Sequence, residues 1–152
     1  MEENPTILLG AVLNVVALAL LDDAGRVLMQ RRPAHRAHGG LWEFPGGKLE
    51  SGEGPRTALI REIDEELGIA LAADDLLPIS FAAREGAESE QPLVLLLYAC
   101  RTWQGDPVCE PGAALLWAEL ADLASLAMPP LDVPLAAALL AHETTGTKKP
   151  VK

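Results

Sequence analysis

The chain has 152 residues, of which 49% are apolar and 4% are aromatic, and its formal net charge is −10 at pH 7. This length accommodates one domain with a sizeable core. The negative charge argues against binding to nucleic acid polymers or membrane surfaces, because both need a basic face that meets phosphates. Two cysteines, Cys100 and Cys109, are too few for a disulfide framework or a zinc site. The composition therefore predicts a soluble cytoplasmic protein without a nucleic acid or membrane partner, and leaves its oligomeric state open.

The apolar run 7–21 suggests a membrane segment, but it contains Asn14 and is preceded by two glutamates instead of positive charges. We therefore assign this run to the protein core. We expect a flexible N-terminus over residues 1–5, a single domain over residues 6–143 and a disordered polar tail over residues 144–152.

Runs of aliphatic and β-branched residues, bounded by turn-forming residues, predict the strands of the chain. These runs are 14–21, 26–30, 42–45, 76–83, 93–100 and 115–117. The run 93–100 is continuously apolar, which is typical of a central strand buried on both faces.

Two segments have helical signals. The first is 55–67, because Pro55 suits the first helical position and Gly68 suits the left-handed conformation that ends a helix. The second is 134–141, with Leu135, Leu139 and Leu140 as its core face. Strands and helices mixed in this order predict a sheet covered by helices, in the α/β (α+β) class.

The first helix carries a cluster of carboxylates. Glu62, Glu65 and Glu66 are spaced i, i+3 and i+4, so they share one face, whereas Asp64 points away from it. Such an oxygen-only set suits a hard divalent cation, Mg²⁺ or Mn²⁺. Taken alone, the cluster is also compatible with a solvated acidic helix face.

The wider spacing favours the metal site. Gly47, Glu53, Arg61-Glu62-Ile63, Glu65-Glu66 and Gly68-Ile69 reproduce every position of the Nudix box, so the chain resembles the Nudix hydrolases. The preceding segment, Leu41-Trp42-Glu43-Phe44-Pro45-Gly46-Gly47-Lys48, is similar to the MutT-type branch, which hydrolyses nucleoside triphosphates. The resemblance implies a Nudix-type α/β/α sandwich with a mixed central sheet.

The resemblance also implies roles for individual residues. Mg²⁺ or Mn²⁺ would be held by Glu62, Glu65, Glu66 and the carbonyl of Gly46. The general base would be Glu62, with Glu110, from the loop 104–113, as the second choice. Arg61 would orient Glu53 through a charge-assisted pair.

Four further residues are candidate substrate contacts. Lys48 and Arg32 would help to neutralise phosphate charge, although a pair of arginines at 31–32 is also compatible with a plain surface. Phe44 would line the base pocket or fill the core, and we favour the core. Asp132 would read the base or cap the last helix.

Asp132 stands where MutT-type proteins commonly carry Asn, and this difference affects base recognition. An ionised Asp only accepts hydrogen bonds, which suits the exocyclic amine of cytosine or adenine, and a neutral Asp would have to be buried. The oxidised-guanine specificity of the branch is therefore not transferred.

The expected activity is hydrolysis of a nucleoside triphosphate, normal or modified, to the monophosphate and pyrophosphate. Two alternatives remain: a Nudix pyrophosphatase for ADP-ribose, a dinucleoside polyphosphate or an alcohol pyrophosphate, and a non-catalytic nucleotide-binding module.

Overall fold

A computed structural model describes residues 11–146 of the chain. The expected flexible segment 1–5 and the residues 147–152 of the expected tail lie outside this range. Seven strands, two α-helices and two short 3-10 helices follow one another along the described range. They are β1 (Leu13–Leu20), β2 (Val27–Arg31), β3 (Trp42–Glu43), β4 (Gly46–Lys48), α1 (Pro55–Leu67), the 3-10 helix Ala73–Asp75, β5 (Leu77–Arg84), β6 (Leu93–Cys100), β7 (Ala114–Ala118), the 3-10 helix Leu120–Ser125 and α2 (Asp132–Gly146).

The strands form two sheets. The first has the order β4-β1-β6-β5, and β1 runs parallel to β6 while the other neighbours are antiparallel. The second is antiparallel, with the order β3-β2-β7. The predicted mixed sheet is confirmed, and a separate second sheet was not predicted.

Strand β1 divides the core into two layers because its successive side chains point to opposite faces. Val16, Leu18 and Leu20 pack in one apolar cluster with the buried side chains of α1. Ala17 and Ala19 pack in the other cluster, which includes Leu135 and Leu139 of α2. The two helices therefore cover opposite faces, as the α/β/α prediction requires.

Most predicted boundaries differ from the observed ones by one residue, and two predictions need a larger correction. In the segment 42–45 only Trp42 and Glu43 form a strand, β3, which pairs with β2; Phe44 and Pro45 lie between this strand and β4, which pairs with β1 in the other sheet. Proline has no N–H with which to continue a ladder.

The C-terminal helix is longer than predicted, since α2 spans Asp132–Gly146 instead of 134–141. Pro134 lies in the first turn, where a missing N–H costs nothing, and so it does not mark the start. The tail prediction is wrong for Thr144 and Thr145, whose hydroxyls donate to backbone carbonyls within the helix at 2.7 Å. Leu140 is 38% exposed, so it does not belong to the predicted core face, where Ala136 is buried instead. None of the described helices has the length and apolar character that a bilayer crossing requires.

Candidate active site

Helix α1 begins and ends where its sequence signals place it. Pro55 occupies the first turn, and Gly68 closes the helix with φ 69° and donates its N–H to the carbonyl of Asp64 at 3.0 Å. Four residues anchor its apolar face in the core: Ala58, Leu59, Ile63 and Leu67. Glu62, Glu65 and Glu66 consequently face away from the core centre, and Asp64 is exposed.

Arg61 donates hydrogen bonds to three carboxylates around α1. Its Nε and Nη2 donate to the two oxygens of Glu53, both at 2.8 Å, so the charge-assisted pair that the resemblance implies is present and is bidentate. Its Nη1 donates to Glu62 at 3.0 Å and to Glu65 at 3.4 Å, and Nη2 also reaches the carbonyl of Lys48 at 3.1 Å. The hydrogen bonds from Arg61 are the main reason that the pKa of Glu53 is lowered to about 2. The guanidinium thus ties the loop before α1 to two carboxylates of the helix.

Gly46 and Gly47 let the backbone of β4 approach neighbouring groups where no side chain fits. A Cβ on Gly47 would lie 2.2 Å from the carboxylate carbon of Glu62, and a Cβ on Gly46 would lie 1.9 Å from the carbonyl oxygen of Val16. The N–H of Gly46 donates to Glu66 at 3.2 Å. The paired glycines therefore form a cradle for the carboxylates of α1.

Glu66 is the most perturbed carboxyl of the helix. Burial and, next, the charge of Glu43 raise its pKa to about 7, against the opposing effects of the Gly46 N–H and of Arg32. Arg32 is paired through its Nε with Glu43, whose side chain is only 12% exposed. The charges of the Arg32–Glu43 pair thus act on Glu66 in opposite directions: Glu43 raises its pKa and Arg32 lowers it.

Beside these groups opens a cavity of about 280 Å³, which we call the box cleft. Three basic side chains, three carboxylates, two glycines and one amide form its walls: Arg32, Arg36, Lys48, Glu62, Glu66, Glu110, Gly46, Gly47 and Gln30. A second cavity of about 280 Å³ adjoins it and adds Glu65 to the wall. Acidic groups that suit a cation and basic groups that suit phosphate are therefore brought together.

Glu110, predicted from a loop far along the chain, lies in this wall. It accepts a hydrogen bond from Nη2 of Arg36 at 2.9 Å, and both side chains are about half exposed. The loop 104–113 is therefore adjacent to α1, as expected, although the role of Glu110 in catalysis stays a prediction.

Phe44 and Asp132 do not line the box cleft. Phe44 is 4% exposed and belongs to the core cluster on the α2 side, which is the interpretation we favoured. Asp132 is 5% exposed, and its Oδ2 accepts a hydrogen bond from the N–H of Phe44 at 3.0 Å. It begins α2, but the hydrogen bond described for its carboxylate comes from the backbone between β3 and β4 instead of the helix's own amides.

Burial raises the pKa of Asp132 to about 7, and the nearby charge of Glu43 acts in the same direction, while the Phe44 N–H and Arg32 oppose it. The neutral form that the sequence argument treated as requiring burial is therefore accessible near neutral pH. Recognition of an oxidised guanine, which the sequence argument did not transfer to this chain, therefore stays open.

The residues fit a hard divalent cation, although their present conformations do not close around one. Within residues 11–146, no three His, Cys, Asp or Glu side chains are placed as a ready metal site. The reason is that Arg61 engages Glu62 and Glu65, while the Gly46 N–H engages Glu66. The donors are nevertheless all carboxylate oxygens on one wall, which is the chemistry that Mg²⁺ and Mn²⁺ prefer.

Sequence reasoning missed three residues of this region: Gln30, Arg36 and Glu43. Arg36 lies in an irregular loop and had no signal. Gln30 and Glu43 had one, because Gln30 follows three apolar residues and Glu43 stands between Trp42 and Phe44, and a polar residue in such surroundings needs a partner when it is buried. They face each other in the register of β2 and β3.

A mixed sheet between two helices, with a glycine cradle against a glutamate-rich helix, defines a hydrolase of the Nudix type. The chain belongs to the Nudix family, since the family model described as NUDIX domain matches residues 11–142. It falls in the MutT-like branch and is an enzyme of that kind.

Two relatives from Escherichia coli (strain K12) are similar over most of their length. A CTP pyrophosphohydrolase is 32% identical over 126 residues, which cover 83% of this chain and 90% of the relative. An 8-oxo-dGTP diphosphatase is 31% identical over 130 residues, covering 84% and 95%. The solution structure of the E. coli ORF135 protein superposes with a TM-score of 0.80 at 29% identity, covering 97% of this chain and 100% of that one.

Proposed function

We propose that this protein hydrolyses nucleoside triphosphates of the cytoplasmic pool to the nucleoside monophosphate and pyrophosphate, in a reaction that depends on Mg²⁺ or Mn²⁺. The observation that carries the proposal is the box cleft, where box carboxylates and three basic side chains share one wall. A triphosphate carries about four negative charges, and a protein with a net charge of −10 must neutralise them locally. Arg32, Arg36 and Lys48 do so beside the cation.

A divalent cation bound here would neutralise phosphate charge in the transition state. Glu62, Glu65 and Glu66 would hold it with the Gly46 carbonyl, and Glu62 and Glu65 would turn from Arg61 to do so. Arg61 keeps its two bonds to Glu53 in that event, so the loop before α1 stays in place.

The proton of the attacking water goes to a carboxylate in this scheme. Glu62 is the first choice for the general base because its carboxylate lies against Gly47 and lines the box cleft. Glu110 is the second choice, since it lines both adjoining cavities from the opposite loop. A general base contributes about 10² to 10⁴-fold to a rate.

The base preference in this proposal depends on Asp132. Its ionised form accepts a hydrogen bond from an exocyclic amine, which favours cytosine, and a relative named CTP pyrophosphohydrolase supports that choice. The pKa near 7 gives a specific reason to keep oxidised guanine as the second candidate, because the neutral carboxyl can also donate. The relative named 8-oxo-dGTP diphosphatase supports this second candidate.

The test is a panel of substrates with Mg²⁺: the normal triphosphates, oxidised and methylated triphosphates, ADP-ribose and a dinucleoside polyphosphate. We expect triphosphates to be the best substrates and CTP or dCTP to lead among them. Glu62→Gln should lower turnover by about 10²-fold or more. Asp64→Asn is the matched control, because it removes an exposed carboxylate of the same helix that lies outside the cleft.

Two outcomes would contradict the proposal. A clear preference for ADP-ribose or a dinucleoside polyphosphate would identify another Nudix activity. Nucleotide binding without product from any substrate would indicate a non-catalytic module. If Asp132→Asn leaves the order of substrate preference unchanged, Asp132 does not read the base, but the rest of the proposal is unaffected.

A further inference from the structure

The ion pair between Arg36 and Glu110 joins two loops that are far apart in the sequence. Arg36 lies between β2 and β3, and Glu110 lies in the loop that precedes β7. Nη2 of Arg36 donates to Oε2 of Glu110 at 2.9 Å, and both side chains are about half exposed. Both residues line the box cleft and the adjoining cavity. The pair therefore connects the two loops at the candidate site itself.

All five residues that line the adjoining cavity are charged. They are one arginine and four glutamates: Arg36, Glu62, Glu65, Glu66 and Glu110. A divalent cation that enters this cavity therefore meets a positive charge already present in its wall. Within residues 11–146, Arg36 forms an ion pair with Glu110 and with no other carboxylate. Glu110 is thus the carboxylate for which Arg36 and the cation compete.

Arg36 is also one of the three basic side chains that line the box cleft, together with Arg32 and Lys48. Arg32 is paired through Nε with Glu43, which does not line either cavity, and both Nη atoms of Arg32 stay available. Lys48 forms no ion pair with a carboxylate of the described residues. All three side chains therefore have N–H groups for phosphate. Arg36 differs from the other two because its partner belongs to the same cavity wall.

A half-exposed ion pair is weak, because water screens its charges and two long side chains must be held in one geometry. Both partners have a better ligand in a metal-bound triphosphate. A guanidinium forms charge-assisted hydrogen bonds to phosphate, and a hard divalent cation prefers carboxylate oxygens. Each exchange frees the other partner for its own ligand, so the binding of one ligand removes part of the cost of binding the other.

We propose that Arg36 withholds Glu110 from the divalent cation in the free protein and releases it when a triphosphate binds the guanidinium. Arg36 is thus a positioning residue for Glu110, in addition to its contact with phosphate. The ion pair couples the binding of the cation to the binding of the triphosphate. This inference rests on the proposed function for the identity of the two ligands, but not for turnover.

The experiment measures Mn²⁺ binding to the whole protein without nucleotide at low ionic strength, by the electron paramagnetic resonance of free Mn²⁺. Arg36→Gln removes the competitor for Glu110, so its Kd for Mn²⁺ should fall by about 2- to 5-fold, the strength of an exposed ion pair. Its KM for the best triphosphate should rise, because a guanidinium is lost. A purely structural role of Arg36 would weaken the binding of both ligands and would overturn the inference.

A double-mutant cycle with Glu110→Gln separates the release of Glu110 from the mere loss of a positive charge. Repulsion between Arg36 and the cation does not need Glu110, whereas the release of Glu110 does. In the Glu110→Gln background, Arg36→Gln should therefore lower the Kd for Mn²⁺ clearly less than in the wild-type background. An equal or larger decrease would assign the effect to charge alone and overturn the inference.

Arg31→Gln is the matched control. It removes the same charge from a neighbouring part of the chain, where the Arg31 guanidinium lies 5.3 Å from the ring centroid of Trp42. Arg31 lines neither cavity. The variant should bind Mn²⁺ as the wild type does, and an equal decrease of its Kd would also overturn the inference.

Three other outcomes would overturn it as well: no Mn²⁺ binding by the wild type, an unchanged Kd for Mn²⁺ in Arg36→Gln, or an unchanged KM in that variant. Failure of the proposed function is distinguishable, because Mn²⁺ binding is measured without nucleotide. The decrease of the Kd in Arg36→Gln, and its dependence on Glu110, do not require that the wild type releases pyrophosphate.

Discussion

Adding a methyl group to Gly47 should lower turnover by about 10²-fold without unfolding the protein. The new Cβ would lie 2.2 Å from Cδ of Glu62 and 2.3 and 2.7 Å from its two oxygens. Carbon atoms in contact normally stay about 3.5 Å apart, so the carboxylate must retreat by roughly 1 Å. A displacement of this size in a catalytic group lowers a rate by about 10²-fold.

The stability of Gly47→Ala should change little. The obstructing atoms are the far end of a flexible side chain that is 22% exposed, and φ of Gly47 is not in the left-handed region. We therefore expect a change in the free energy of unfolding within about 1 kcal/mol. Turnover is measured by pyrophosphate release, and stability by urea denaturation of the same preparation.

Two glycine variants nearby provide the contrast. Gly46→Ala would place a Cβ 1.9 Å from the backbone carbonyl of Val16, so it should destabilise the protein by about 1 to 3 kcal/mol or more. Gly54→Ala meets nothing within 4 Å and should stay active. Wild-type turnover by Gly47→Ala, with the fold intact, would refute the idea that the position of Glu62 controls the reaction.

The remaining predictions concern other parts of the site. Arg61→Lys keeps one charge but loses the bidentate contact with Glu53. Turnover should fall by about 10-fold or more while the circular dichroism spectrum stays native. Unchanged turnover would show that the Arg61–Glu53 pair is not needed for the reaction. Glu110→Gln should reduce turnover less than Glu62→Gln, and a reversed order would make Glu110 the base. Burial raises the pKa of Asp132 from 3.8 to about 7, so the native state binds more protons than the unfolded state across that window and stability falls as pH rises through it. Asp132→Asn should flatten this dependence in urea denaturation between pH 4 and 8, and an unaltered slope would mean that the pKa is not raised.

Local signals in the sequence were sufficient for α1 and its carboxylates. Proline at its start and glycine at its end have conformations that few other residues replace, so both boundaries were predicted correctly. The pairing of Arg61 with Glu53 followed from the box, and strand β6 was predicted residue for residue because its apolar run is uninterrupted.

Features that depend on contacts distant in sequence were not predicted. The separation into two sheets depends on which strands pair, and strand propensity does not specify the partner. The contact between Asp132 and Phe44 joins residues far apart in the chain, so its helix-capping alternative could not be decided from local pattern. Arg36 reaches the cleft from an irregular loop, and only the approach of the loop carrying Glu110 brings it a partner.

The central claim is that the box carboxylates and a divalent cation cleave a nucleoside triphosphate to the monophosphate and pyrophosphate. Phosphorus-31 NMR of the products from the best triphosphate of the panel tests it most directly, with and without Mg²⁺ or Mn²⁺. We predict equal amounts of nucleoside monophosphate and pyrophosphate with the metal, and unreacted triphosphate after its removal by EDTA. Orthophosphate with a nucleoside diphosphate, or the same products without metal, would contradict the account.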